Sequence, residues 1–135
     1  MRIIKGTIIG AICFLVIGGI IYGLLLDSFV TANSDPNVSR PMEDVVWWAV
    51  ILTNLVLGLL FTLVLYWSGA KVVTDGLKTG ALFGLILTLY LDLTVYSIST
   101  LFTLTYLVVD VVVMTFLTAV VGMVVVLTWG KDKNR

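Results

Sequence analysis

The stretch VVWWAVILTNLVLGLLFTLVLYW, from Val45 to Trp67, contains no Asp, Glu, Lys or Arg. Its apolar residues do not alternate with polar ones, which argues against a membrane β-strand. A helix rising 1.5 Å per residue needs about 20 apolar residues to cross a hydrocarbon core of about 30 Å. This stretch meets that length. In lipid every backbone amide must find its partner inside the protein, so an α-helix is the economical conformation.

Reading outward, three more apolar runs have the same character: Ile8 to Leu26 before it, Leu77 to Ile98 and Leu104 to Trp129 after it. The spacing predicts an all-α membrane protein, a four-transmembrane-helix antiparallel bundle filling residues 1–135 as one domain. Composition agrees. Of 135 residues, 60% are hydrophobic and 12% charged, with mean hydropathy +1.15. A soluble domain of this size could not hide so much apolar surface.

The connections are polar. Asp27 to Asp44 carries Asn33, Ser34, Asp35, Pro36 and Pro41, and ends on Glu43 and Asp44, which suit a helix start. Ser68 to Gly76 offers Thr74 and Asp75 as capping residues. Ser97 to Thr103 is short and uncharged, predicting a tight hairpin between the last two helices.

Charge sets the expected orientation. Arg2, Lys5, Lys71, Lys78, Lys131, Lys133 and Arg135 fall on one side of four crossings, and Arg40 alone on the other. The positive-inside rule then places both termini in the cytoplasm of a bacterial inner membrane, with the tail Lys131 to Arg135 an anchor at the anionic face. Trp47 and Trp48 mark the outer interface, Trp67 and Trp129 the inner one. The first run also has a rival reading as a cleaved signal peptide ending near Val30-Thr31-Ala32, but its apolar length exceeds a usual signal core.

Some functions are excluded early. Zero net charge leaves no nucleic-acid footprint. No His and a single Cys, Cys13, leave no expected metal or cofactor site. The bilayer is the expected partner. Small residues supply expected helix-packing ridges: Gly6, Gly10, Gly19 and Gly23 in the first helix, Gly58 in the second, Gly80 and Gly84 in the third, Gly122 in the fourth. An exposed ridge on the first helix would serve a homo-oligomer instead.

The informative residues are Asp92 and Asp110. An ionisable group inside a membrane helix costs roughly 2.5–3.5 kcal/mol on insertion scales and needs a reason. No Lys, Arg or His lies at their depth. Asp92 comes about six residues before the outer end of the third helix, Asp110 about six after the start of the fourth, so both lie roughly 9 Å below the outer boundary. Two carboxyls meeting there would share a proton. Asn54, Thr88, Tyr96 and Tyr106 complete the candidate polar site, with Tyr90 and Thr94 nearby.

Gly80-Ala81-Leu82-Phe83-Gly84-Leu85, Tyr90-Leu91-Asp92-Leu93-Thr94 and Val108-Val109-Asp110 together resemble a family of small bacterial four-helix membrane proteins of unknown function. Its third helix carries G-A-L-F-G-L … Y-D-L-T-N, and its fourth opens V-D-x-x-W-G. Here Tyr90 stands one residue further from the Asp, Val95 replaces the Asn, and Val113 and Met114 replace Trp-Gly. The resemblance covers the second half of the chain. It implies the fold and the paired Asp positions, and no activity. In placement Asp92 and Asp110 are also similar to the catalytic pair of lipoprotein signal peptidases, but Leu89 to Val95 holds neither the Asn nor the Arg that flank that family's Asp.

Three functions follow as expectations. The first is a non-enzymatic bundle, structural, oligomeric or accessory, with a structural Asp pair. The second is a small transporter or ion-binding protein using Asp92 and Asp110. The third is an intramembrane aspartyl hydrolase, which needs both carboxyls within reach of one water.

Overall fold

The computed structural model describes residues 1–130; the basic tail singled out above, Lys131 to Arg135, lies outside the described residues. The chain folds as α1 (Arg2–Ile20), a π-helical turn (Ile21–Leu25), α2 (Asp27–Asn33), a 3₁₀ turn (Met42–Asp44), α3 (Trp47–Trp67), α4 (Val73–Ile98) and α5 (Leu104–Trp129). It is an all-α bundle. Four helical stretches are long and apolar enough to cross a membrane: Arg2–Leu25, Trp47–Trp67, Val73–Ile98 and Leu104–Trp129.

The helix ends differ from the apolar runs for local reasons. α1 continues through Arg2 and Lys5, because a helix at an interface tolerates charge outside the hydrocarbon. α4 starts at Val73 rather than Leu77, because the Asp75 carboxylate reaches back to accept from the backbone N–H groups of Lys71 (2.9 Å) and Val72 (3.2 Å). Glu43 and Asp44 sit in the 3₁₀ turn, and α3 begins after them, at Trp47. The polar connection Asp27 to Asp44 contains α2.

The start of α1 and the end of α5 lie at one end of the bundle. Trp129 Nε1 donates to the Arg2 carbonyl (3.1 Å) and Lys5 Nζ to that of Thr128 (2.7 Å). α5 packs along α4 and α1, and α1 along α3; α3 meets α4 and α5 only marginally, and α1 and α4 are not neighbours.

Two seams of small residues draw the helices together. On α4, a Cβ at Gly76 would strike the Gly122 carbonyl and one at Gly80 the Thr118 carbonyl; at Gly84 it would lie 2.9 Å from that of Met114. At the other seam, a Cβ on Gly58 would lie 2.7 Å from the Thr7 carbonyl, and one on Gly6 2.6 Å from Thr62 Cγ2. Gly10 meets Gly58 in ordinary contact. Close backbone approach of this kind drives helix association where lipid supplies no hydrophobic force.

Gly19 and Gly23 behave differently from the expectation: a Cβ on either would meet nothing within 4 Å. The reason is geometric. Thirteen residues separate Gly6 from Gly19, a turn of about 220° at 3.6 residues per turn, so the second G-x-x-x-G faces away from α3.

The core lies in the half near the start of α1 and the end of α5. Phe61, Leu65, Val121 and Val125 are fully buried, joined by Phe14, Leu117 and Val126. Phe61 meets Phe14 edge-on at 5.4 Å and Phe83 at 5.0 Å. In the distal half burial thins, leaving Leu107 and Val111 of α5 as its buried apolar side chains. α1 buries nothing beyond Phe14, and α3 buries nothing before Gly58.

Candidate functional site

The site forms on the distal half of α5, with α4 on one side and the π-helical turn after α1 on the other. α1 ends in the π-helical turn, with the Leu26 N–H donating to the Ile21 carbonyl at 2.8 Å. Such a turn admits one extra residue per hydrogen bond and re-aims the side chains it carries. Tyr22 lies in it, and its hydroxyl donates to Asp110 Oδ1 on α5. The Asp92 carboxyl on α4 lies beside that of Asp110, each within electrostatic reach of the other. Asp92 Oδ2 is buried and has no hydrogen-bond partner among the described residues. Tyr106, one turn before Asp110 on α5, is within electrostatic reach of both carboxyls, as is Tyr22.

A cap covers this cluster from the distal end. Thr103 N-caps α5 by accepting from the Tyr106 N–H at 3.1 Å, and donates its hydroxyl to Asn33 Oδ1 at 2.7 Å. The Thr103 N–H donates to the Asn33 carbonyl (3.1 Å), and the Asp35 N–H to that of Leu101 (2.8 Å). Tyr106 stacks on Phe102 at 4.0 Å and on Phe29 of α2 at 6.4 Å. The segment 27–35 is thus tied across the start of α5, and its Phe29 lies against Tyr106 beside the polar cluster.

The residues singled out from sequence scatter more than their depths imply. Asp92, Asp110 and Tyr106 come together. Thr88 is 5% exposed, one turn below Asp92, and continues the Gly76, Gly80, Gly84 row. Tyr96 is 44% exposed on the bundle surface, and Tyr90 is exposed too. Thr94 returns its hydroxyl to the Tyr90 carbonyl at 2.7 Å. Asn54 donates to its own helix, at the Val50 carbonyl (2.8 Å), and lines two grooves along α3 to which neither Asp contributes. Equal depth did not bring it to the acids, because α3 packs on α1 and touches α4 and α5, which carry the acids, only marginally. Tyr22 escaped the sequence reading. Its depth, a few residues before Asp27 at the distal end of α1, was the available signal; the π-turn that aims it was not.

Chemically, two ionised carboxylates are acceptors only. Side by side and partly withdrawn from water, they hold a proton or a cation between them, because like charges at contact distance cannot both persist. Tyr22 supplies one donor, to Asp110 alone. Among the described residues, no three of His, Cys, Asp and Glu gather to hold a metal ion.

The fold and the site define a class: a small polytopic membrane bundle with an acidic, tyrosine-flanked cluster near one end. Comparison with family models, curated proteins and solved structures returns no match.

Proposed function

We propose that this chain is a non-enzymatic structural or accessory protein of a bacterial inner membrane, with both termini cytoplasmic, in which the acidic cluster is a clamp. The observation that carries the reading is the Tyr22 hydroxyl bound to Asp110 beside Asp92, one polar knot joining three helices where apolar packing is thinnest. The orientation rests on Arg2, Lys5, Lys71 and Lys78 lying at the end where α1 starts and Arg40 at the other. Membership of the small bacterial family that the Gly80–Leu85 and Asp92 patterns resemble belongs to the same proposal.

The test is equilibrium unfolding in mixed micelles. A clamp needs a hydrogen bond more than a charge, so Asp92→Asn, which brings its own N–H donors, stays close to wild type. Asp110→Ala strands the Tyr22 hydroxyl and unfolds earlier. If the Asn variant were as damaging as the Ala variant, the clamp reading would fail.

A second reading is favoured by one atom. Asp92 Oδ2 has no donor among the described residues, so the pair is able to take up a proton or a small cation, as a transporter or ion-binding protein would. Wild-type stability would then depend on the identity of the monovalent cation, and Asp92→Asn would abolish that dependence. The hydrolase reading has less support: Asp92 Oδ2 is closed to solvent, and the apolar cleft lined by Val64, Leu82, Phe83, Ile86 and Tyr90 runs along another face of α4.

A further inference from the structure

Along the distal half of α3 runs a groove to which no other helix contributes a lining residue. Val45, Val46, Ala49, Val50, Thr53 and Asn54 line a groove of about 490 Å³ together with Arg40, which precedes α3 in the chain. Arg40 is exposed, and no acidic side chain pairs with it among the described residues. Glu43 and Asp44, both exposed, occupy the 3₁₀ turn that leads into the groove wall at Val45. From Val46 to Asn54 the wall extends about 12 Å at 1.5 Å per residue. That is close to the depth of one leaflet's hydrocarbon, about 15 Å.

The order of chemistry along this surface is therefore two carboxylates and a guanidinium at the interface, then an apolar wall of leaflet depth ending at Thr53 and Asn54. We infer that the groove holds one phospholipid with a zwitterionic headgroup: its phosphate on Arg40, its ammonium toward Glu43 and Asp44, and an acyl chain along Val46, Ala49 and Val50. A guanidinium offers paired N–H donors matched to phosphate oxygens. The neighbouring acids disfavour a headgroup carrying net negative charge and favour one that also carries a cation. The inference goes beyond the clamp, whose residues take no part in it; it requires only that α3 lie in a bilayer.

The experiment is native mass spectrometry of the full chain in detergent with equal amounts of phosphatidylethanolamine and phosphatidylglycerol. Wild type is expected to retain one phosphatidylethanolamine in preference to phosphatidylglycerol. Arg40→Gln is expected to weaken that retention about tenfold, the loss of one charge-assisted contact. Ala49→Leu, which fills the wall and leaves Arg40 in place, is expected to lower retention of both lipids. Glu43→Gln with Asp44→Asn is expected to remove the preference while keeping binding. Folding of each variant is followed separately by detergent unfolding, and Arg40 and Ala49 lie outside the buried core, so a binding loss is separable from a folding loss. Equal retention of phosphatidylethanolamine by wild type and Arg40→Gln would overturn the assignment. So would a wild-type preference for phosphatidylglycerol, or displacement of the bound lipid by millimolar free phosphoethanolamine, which would place the affinity in the headgroup alone.

Discussion

Where α1 starts and α5 ends, Gly76, Gly80 and Gly122 press backbone against backbone, and Phe61, Leu65, Val121 and Val125 fill the centre without a gap to lipid. At the distal end the same four helices carry few buried apolar side chains, and what joins them is polar and aromatic: Tyr22 to Asp110, Asp110 to Asp92, Asn33 to Thr103, Phe29 and Phe102 against Tyr106. The difference teaches that a membrane bundle has two ways to hold itself. Steric fit of small residues works where backbones can touch. Where they do not, hydrogen bonds between helices take over, and lipid's inability to compete for those bonds makes them usable. The two carboxyls within the membrane-length helices, Asp92 and Asp110, therefore lie in the half where packing is weak, whereas Thr62 and Thr118 are buried in the packed half.

That contrast can be broken at graded strength. Phe61→Ala empties a fully buried site in the packed half, and is expected to destabilise by about 4 kcal/mol in detergent unfolding. A loss no larger than that of Leu55→Ala, in the distal half, would mean the proximal core is not the keystone. Gly80→Leu drives a side chain into the Thr118 carbonyl and is expected to cost about 3 kcal/mol by separating α4 from α5. Tyr22→Phe removes one interhelical hydrogen bond and leaves Asp110 without its donor, for an expected loss of about 1 kcal/mol, appearing as looser packing of α1 on α5 in cysteine-crosslinking between them. Gly19→Leu is expected to change stability by less than about 0.5 kcal/mol, because the side chain enters open space. A large effect there would show that the outward face of α1 is covered in the membrane, as an oligomer through that ridge would require.

How much of this was legible beforehand depends on the range of the interaction. The four apolar runs and the shared depth of Asp92 and Asp110 follow from composition and from 1.5 Å per residue, which are one-dimensional quantities. Tyr106 is also local, one turn from Asp110 on the same helix. Tyr22 and Asn54 have comparable depth, yet only Tyr22 reaches the acids, and depth alone does not distinguish them. The π-turn in α1 and the marginal contact of α3 with α4 and α5 decide between the two, and neither has a period or motif that the chain displays. The cap was hidden for a related reason: Asn33 and Thr103 are far apart in sequence, and each reads as an ordinary loop residue.

The chain by itself determined that this is an all-helical protein with four membrane-length helices, because the burden of burying backbone amides and apolar side chains is carried residue by residue. It also determined which groups would be costly there, Asp92 and Asp110. Only the tertiary structure decided which glycines pack, which tyrosine answers the acids, and which face of α3 is left open. Those outcomes depend on rotation about each helix axis and on the angles between axes, and such quantities are set by all four helices at once.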